Sequence, residues 1–248
     1  MTHVPDFVAE RIKTPASLKY IVEGSTPVVC FGDITQAKAL TIGINPSSSE
    51  FTKLVEKQRV LLTGGERKLA DLKYLDAEET QTLNANQVSQ VWQGCLDYFD
   101  GPYYKFWFSK MQDTILSPIN FSYVERSAAH LDLIQWATDP LWQNMVNEDP
   151  LEAAAHLKAD LPFLIKQLEA SDAEFIFLSG TPVVESLTEL FDLKFTEKTA
   201  AEGKSSQNRL YIGKWKNAVV LGTSMNVPDS HTSTAHREFL KKWIASKF

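Results

Sequence analysis

The chain has little of what stapled or metal-built folds require. It holds two cysteines, Cys30 and Cys95, far apart in 248 residues. That excludes a disulfide scaffold and a cysteine-rich zinc site, and it fits a reducing compartment, so a cytoplasmic location is expected. Its five histidines include no His-Glu-x-x-His motif and no other paired spacing, so no metal and no cofactor is expected. No run of 18 apolar residues is present, so no membrane partner is expected. The first ten residues carry acids and a proline where a secretion signal needs an apolar stretch. There is no Gly-x-Ser-x-Gly elbow, which argues against a serine hydrolase of the α/β type. No repeat, low-complexity tract or long linker appears, so a single domain over 1–248 is expected.

What is present is ordinary globular composition, 44% hydrophobic and 23% charged, enough to build a full core. The net charge of −6 is unevenly spread: residues 194–248 carry 10 Lys and Arg against 4 Asp and Glu, and the preceding residues carry 15 against 27. Such a split points to a phosphate- or nucleic-acid-facing surface. The alternative is that the two segments intermix on the folded surface.

Four short apolar runs read as strands buried on both faces, as in a parallel sheet: residues 39–45, 129–134, 175–179 and 218–222. Residues 210–215 read as a further strand, turned at Lys216-Asn217 into the fourth run. Val183, Val184, Leu187, Leu190 and Phe191 share one helical face, started by Thr181-Pro182. Phe239, Leu240, Trp243 and Ile244 form another stripe, capped by Ser233 or Thr234, and Pro162 is placed to start a helix holding Phe163, Leu164 and Leu168. Segments 52–72 and 86–99 read as mostly helical, and 197–208 as a surface loop. The alternation gives an α/β layered fold.

In such folds ligands bind beyond the carboxyl ends of the strands. The first strand runs out into Gly43-Ile44-Asn45-Pro46-Ser47, where Pro46 breaks the strand and Ser47 with Glu50 fits a capping box. Exposed N–H groups of such a turn can hold an anion or a carbonyl oxygen. A plain strand-to-helix turn is the other reading. In the second run His130 and Asp132 alternate onto one face, either as pocket groups or as a structural pair. The third ends in Ser179-Gly180-Thr181-Pro182, a helix start. The fourth opens into a polar loop with Asn226, Pro228, Ser230 and His231, a candidate site. The aromatic cluster at 103–108 is core material with one or two rings able to stack on a planar ligand.

Gly43-Ile44-Asn45-Pro46, followed at the last strand by Asn226-Val-Pro228-Asp-Ser230-His231, resembles the first and closing motifs of the uracil-DNA glycosylase superfamily. The first motif is nearest to that of the mismatch-specific branch, and 102–142 resembles an uncharacterised bacterial group. The resemblance implies a three-layer α/β/α sandwich around a central four-stranded parallel sheet, with a base pocket at the strand ends. It implies that Asn45 orients the hydrolytic water and that His231 or Asn226 stabilises charge on the leaving base. Gly43, Ile44, Pro46, Ser47, His130, Asp132, Asn226 and Ser230 would then line the substrate site. The expected activity is hydrolysis of the N-glycosidic bond of a damaged or deaminated base in DNA, in the service of DNA repair. The alternatives are a non-catalytic nucleobase- or nucleic-acid-binding module of the same fold, and a hydrolase of another small substrate. Asp132, as a carboxylate, only accepts hydrogen bonds, unlike the amide that reads uracil in the superfamily.

Overall fold

All four apolar runs fold as strands. In a computed structural model, which describes residues 3–15, 19–72, 77–101, 103–200, 207–229 and 232–248, the chain is mixed α/β. Seven α-helices are present among the described residues: α1 Asp6–Lys13, α2 Ala85–Leu96, α3 Lys105–Met111, α4 Trp142–Glu148, α5 Pro150–Ala170, α6 Thr181–Leu187 and α7 Thr234–Ala245. The strands are β1 Ala39–Gly43, β2 Thr52–Val55, β3 Gln58–Leu61, β4 Ala128–Asp132, β5 Phe175–Ser179, β6 Lys194–Ala200, β7 Gln207–Trp215 and β8 Ala218–Thr223.

The main sheet has six strands rather than four, in the order β4-β1-β5-β8-β7-β6. The β1–β5 and β5–β8 pairs are parallel, and β7 and β6 extend the sheet in antiparallel fashion. Every residue of β1, β4 and β5 is buried, the expected signature of a sheet covered on both sides. Burying side chains such as Phe175, Ile176, Phe177 and Leu178 contributes roughly 1.5–3 kcal/mol each. The turn between β7 and β8 falls at Lys216, whose φ is +50°.

The chain divides into two compact units. The first comprises Met1–Gly32, Ile44–Pro102 and Asp132–Ala170, and the second comprises Asp33–Gly43, Tyr103–Leu131 and Ser171–Phe248. Within the first, α1 brings Arg11 into the interior, where it pairs with Asp160 at 3.1 Å and donates to Gln135 Oε1 at 2.9 Å. Gln135 in turn donates to Gln167, and Gln167 to the Val29 carbonyl. The second unit holds the sheet, α3, α6 and α7.

Several local readings need correction. Residues 52–72 are not helical: they form the β2–β3 hairpin and a short 3-10 turn. The hairpin turn uses Glu56 and Lys57 at φ +49° and +68°, a left-handed pair that normally calls for Asn or Gly, so the sequence carries no turn signal there. Pro162 does not start a helix but lies inside α5, which opens on Pro150. At α6 the cap is Gly180, at φ +102°, a conformation that suits glycine. Thr181 is already helical, and its hydroxyl donates to the Ser224 carbonyl at 3.0 Å. Residues 197–200, read as loop, extend β6, and 201–206 lie outside the described residues. Ser233 does cap α7, accepting from the His236 N–H. Among the described residues no helix is long and apolar enough to cross a membrane.

Candidate functional site

The first strand-end turn is built by a break in the sheet pattern. β1 stops at Gly43, and the Ile44 carbonyl then accepts from the Ile134 N–H at 2.9 Å. Residues 44–50 thereby run beside residues 132–140, all within the first unit. The Ile44 side chain is occupied with packing, against Ile134, Trp142, Met145 and Ala153.

Asn45 is half-buried, and its amide orientation is fixed by what surrounds it. Its Nδ2 donates to the Pro46 carbonyl at 3.2 Å and to Thr138 Oγ1 at 3.0 Å. A carbonyl can only accept, so the nitrogen must face it. Thr138 passes its own proton to the Pro140 carbonyl at 3.2 Å, so its oxygen is free to accept. The result leaves Asn45 Oδ1, an acceptor with no hydrogen bond among the described residues, as the chemical face of the turn.

Ser47 caps a single 3-10 turn, Ser48–Glu50, accepting from the Ser49 N–H at 3.2 Å. The expected capping box with Glu50 does not form. Glu50 turns inward instead and is buried, with Tyr98 Oη donating to its Oε1 at 2.6 Å. Burial pushes the Glu50 carboxyl up to about 7. The Tyr98 hydrogen bond works against the rise, and the charge of Asp132 adds to it. Asp132, at the end of β4, is also buried. A carboxyl that holds its proton to near neutrality beside a second acid at a strand end can act as general acid or base. Sequence reasoning treated Glu50 only as a cap. The available signal was a glutamate in the turn directly after the strand.

Of the other expected site residues, Pro46 belongs to the first unit, and Gly43, His130 and Asn226 belong to the second. His130 lies in the second unit, inside the sheet, with its Nδ1 2.8 Å from Thr41 Oγ1. Thr41 Oγ1 is also 2.6 Å from Tyr123 Oη. The Trp107 and Phe108 rings meet the imidazole edge-on at 4.5 and 5.4 Å. His130 thus joins β4 to β1 through Thr41, and Phe108 of the aromatic cluster is buried. Gly43 is buried in β1 and Pro46 is buried in the turn. Asn226 belongs to the second unit and is exposed. Its carbonyl accepts from the Asp229 N–H and Thr232 Oγ1. The loop is held by Val227 N–H donating to Ser179 Oγ at 3.1 Å and Lys110 Nζ donating to the Pro228 carbonyl at 2.9 Å. Ser230 and His231 lie outside the described residues. No group of three or more His, Cys, Asp or Glu is placed to hold a metal ion among the described residues.

Comparison with known protein families and with curated proteins finds no matching family and no matching relative.

Proposed function

We propose that the chain is a nucleic-acid base-releasing hydrolase, a DNA glycosylase-like enzyme with the three-layer architecture of the uracil-DNA glycosylases. The observation that carries this reading is the strand-end turn, where Pro46 and Thr138 fix the Asn45 amide so that Oδ1 is presented as an acceptor. Oδ1 accepts from a water and aims its lone pair at the sugar carbon, but it takes no proton. Proton exchange then falls to Glu50, neutral up to about pH 7, which protonates the base as the N-glycosidic bond breaks; once the new C–O bond has formed, the added water gives up its proton to the Glu50 carboxylate or to solvent. Asp132, as a carboxylate acceptor, suits a base that offers an exocyclic amino group, such as a cytosine or adenine derivative, over uracil.

The test is a panel of oligonucleotides bearing single modified bases, scored for abasic sites, with Asn45→Ala and Glu50→Gln in parallel. The expected result is release of an amino-bearing base, with uracil poor or inert. Glu50→Gln should lose roughly 10²–10⁴-fold, the usual contribution of a positioned general acid, and Asn45→Ala should also lose release, through water positioning alone. Release of no base refutes the enzyme reading. Efficient uracil release that depends on Asn45 refutes the specificity. Because Asn45 takes no proton, a binding module that holds a base uncleaved is the second reading, and it is distinguished by retained base binding without abasic sites.

A further inference from the structure

Four of the ten basic residues of the C-terminal segment, Lys194, Lys198, Arg209 and Lys214, lie in the outer β6–β7 ribbon of the sheet. β6 and β7 pair in antiparallel register, with Phe195 opposite Tyr211 and Lys198 opposite Arg209. Residues directly opposite share a face, and in β7 residues 209 and 211 point the same way. Phe195, Tyr211, Lys198 and Arg209 therefore lie on one face of the ribbon. The bulge between Phe195 and Glu197 places Glu197 opposite Leu210, on the reverse face.

Three features of this face are unusual for a plain surface. Phe195 is 52% exposed, and its ring meets Tyr211 at 6.1 Å, leaving aromatic surface open to solvent. Lys198 and Arg209 are exposed and face each other as like charges, an arrangement that destabilises a ribbon. Neither has an ion-pair partner among the described residues. A stacking platform beside two unneutralised cations is the composition of a single-strand binding surface, in which cations follow phosphates and rings take bases. The surface is also joined to the closing loop: Arg209 N–H donates to Ser224 Oγ at 2.9 Å, and Ser224 N–H donates to the Arg209 carbonyl at 3.0 Å.

We infer that this outer face of the β6–β7 ribbon is a docking surface for single-stranded nucleic acid, with Phe195 stacking on a base and Lys198 and Arg209 on phosphates. The choice of nucleic acid among polyanions rests on the base-release reading. The experiment therefore reads binding, not cleavage.

A fluorescein-labelled oligothymidine of about 15 nucleotides, long enough for such a site, is titrated with the full chain by anisotropy. The titration is repeated across salt from about 50 to 200 mM. Phe195→Ala is expected to weaken binding roughly 5- to 150-fold. Lys198→Gln with Arg209→Gln is expected to reduce the slope of log affinity against log salt by about 1.4, the loss of two single-strand phosphate contacts. The double variant relieves like-charge repulsion, so its melting temperature should hold or rise, which separates lost binding from lost folding. Unchanged affinity and slope in both variants, or no binding by the wild type at low salt, overturns the proposal. So does equal loss of binding to anionic phosphatidylserine vesicles with no oligonucleotide binding. Oligonucleotide binding that depends on the ribbon, without base release from any substrate, upholds this surface while refuting the enzymatic reading.

Discussion

Replacing Glu50 with glutamine tests whether the site acid is held at an energetic cost. Glu50 is 5% exposed and its carboxyl is raised from 4.5 to about 7. At acid pH the group is protonated in both folded and unfolded chains and costs nothing. Between about 4.5 and 7 the unfolded chain ionises while the fold retains the proton, so the native state binds more protons and stability falls as pH rises. Above about 7 both states are ionised and the penalty is constant. Its size follows from the raised pKa at about 1.4 kcal/mol per pH unit, or about 3 kcal/mol. Glutamine keeps the shape and the acceptor for the Tyr98 hydroxyl and never ionises.

Urea unfolding of Glu50→Gln and wild type from pH 4 to 9 should therefore give curves that coincide near pH 4 and diverge across pH 5–7. At pH 8 the variant should be more stable by up to about 3 kcal/mol. Asp132→Asn should recover a smaller part of the same gain, because its charge is the least of the three influences. A Glu50→Gln difference independent of pH, or a variant less stable than wild type at pH 8, refutes the reasoning. A stabilised variant that has also lost base release would tie the cost to function, since functional sites are where such strain is retained.

Two further outcomes test the rest of the framework. Tyr123→Phe removes the 2.6 Å contact to Thr41 in the buried chain that holds His130, and should cost about 1–2 kcal/mol in urea unfolding without altering nucleic-acid binding; a selective loss of binding would place His130 at the site. Arg11→Met leaves Asp160 buried opposite an apolar side chain and should cost about 3–5 kcal/mol. Adding Asp160→Asn should restore most of it, because the amide oxygen still accepts from the Gln135 N–H; no recovery in the double variant would refute the charge argument.

The strands were legible because burial on both faces leaves near-continuous apolar runs, as in Phe175 to Leu178. The β2–β3 hairpin was not, because its signals are local and contradictory. Its turn residues, Glu56 and Lys57, are helix formers placed at positive φ, and Leu54 at its tip is 68% exposed, so the apolar pattern does not mark a core face. Pro162 misled for a related reason. The rule that proline opens helices applies in this segment to Pro150, the first residue of α5, and Pro162 is carried within the helix. In the strand-end turn, the place of Asn45 was legible from its position after a strand and before a proline. Glu50 was not, because whether a glutamate caps a helix or turns inward depends on Tyr98, 48 positions away. The contacts of His130 were not legible either, since its partner Thr41 and its Trp107 wall come from distant parts of the chain.

The geometry of the turn also constrains how chemistry is shared within it. The group best placed to hold a water, Asn45, has its nitrogen committed to Pro46 and Thr138 and so offers an oxygen that orients without taking a proton. The group best able to exchange a proton, Glu50, is buried and bonded to Tyr98. On the proposed reading, water positioning and proton exchange fall to different residues of one six-residue turn, residues 45–50. In a site where a single aspartate does both, substituting that residue removes both functions at once. On the reading proposed here the two substitutions separate. Asn45→Ala should lower the rate by a factor that does not change with pH. Glu50→Gln should remove the pH dependence that the wild-type rate shows near 7. A pH–rate profile that keeps its inflection near 7 in Glu50→Gln would assign that proton to another group and dissolve the division.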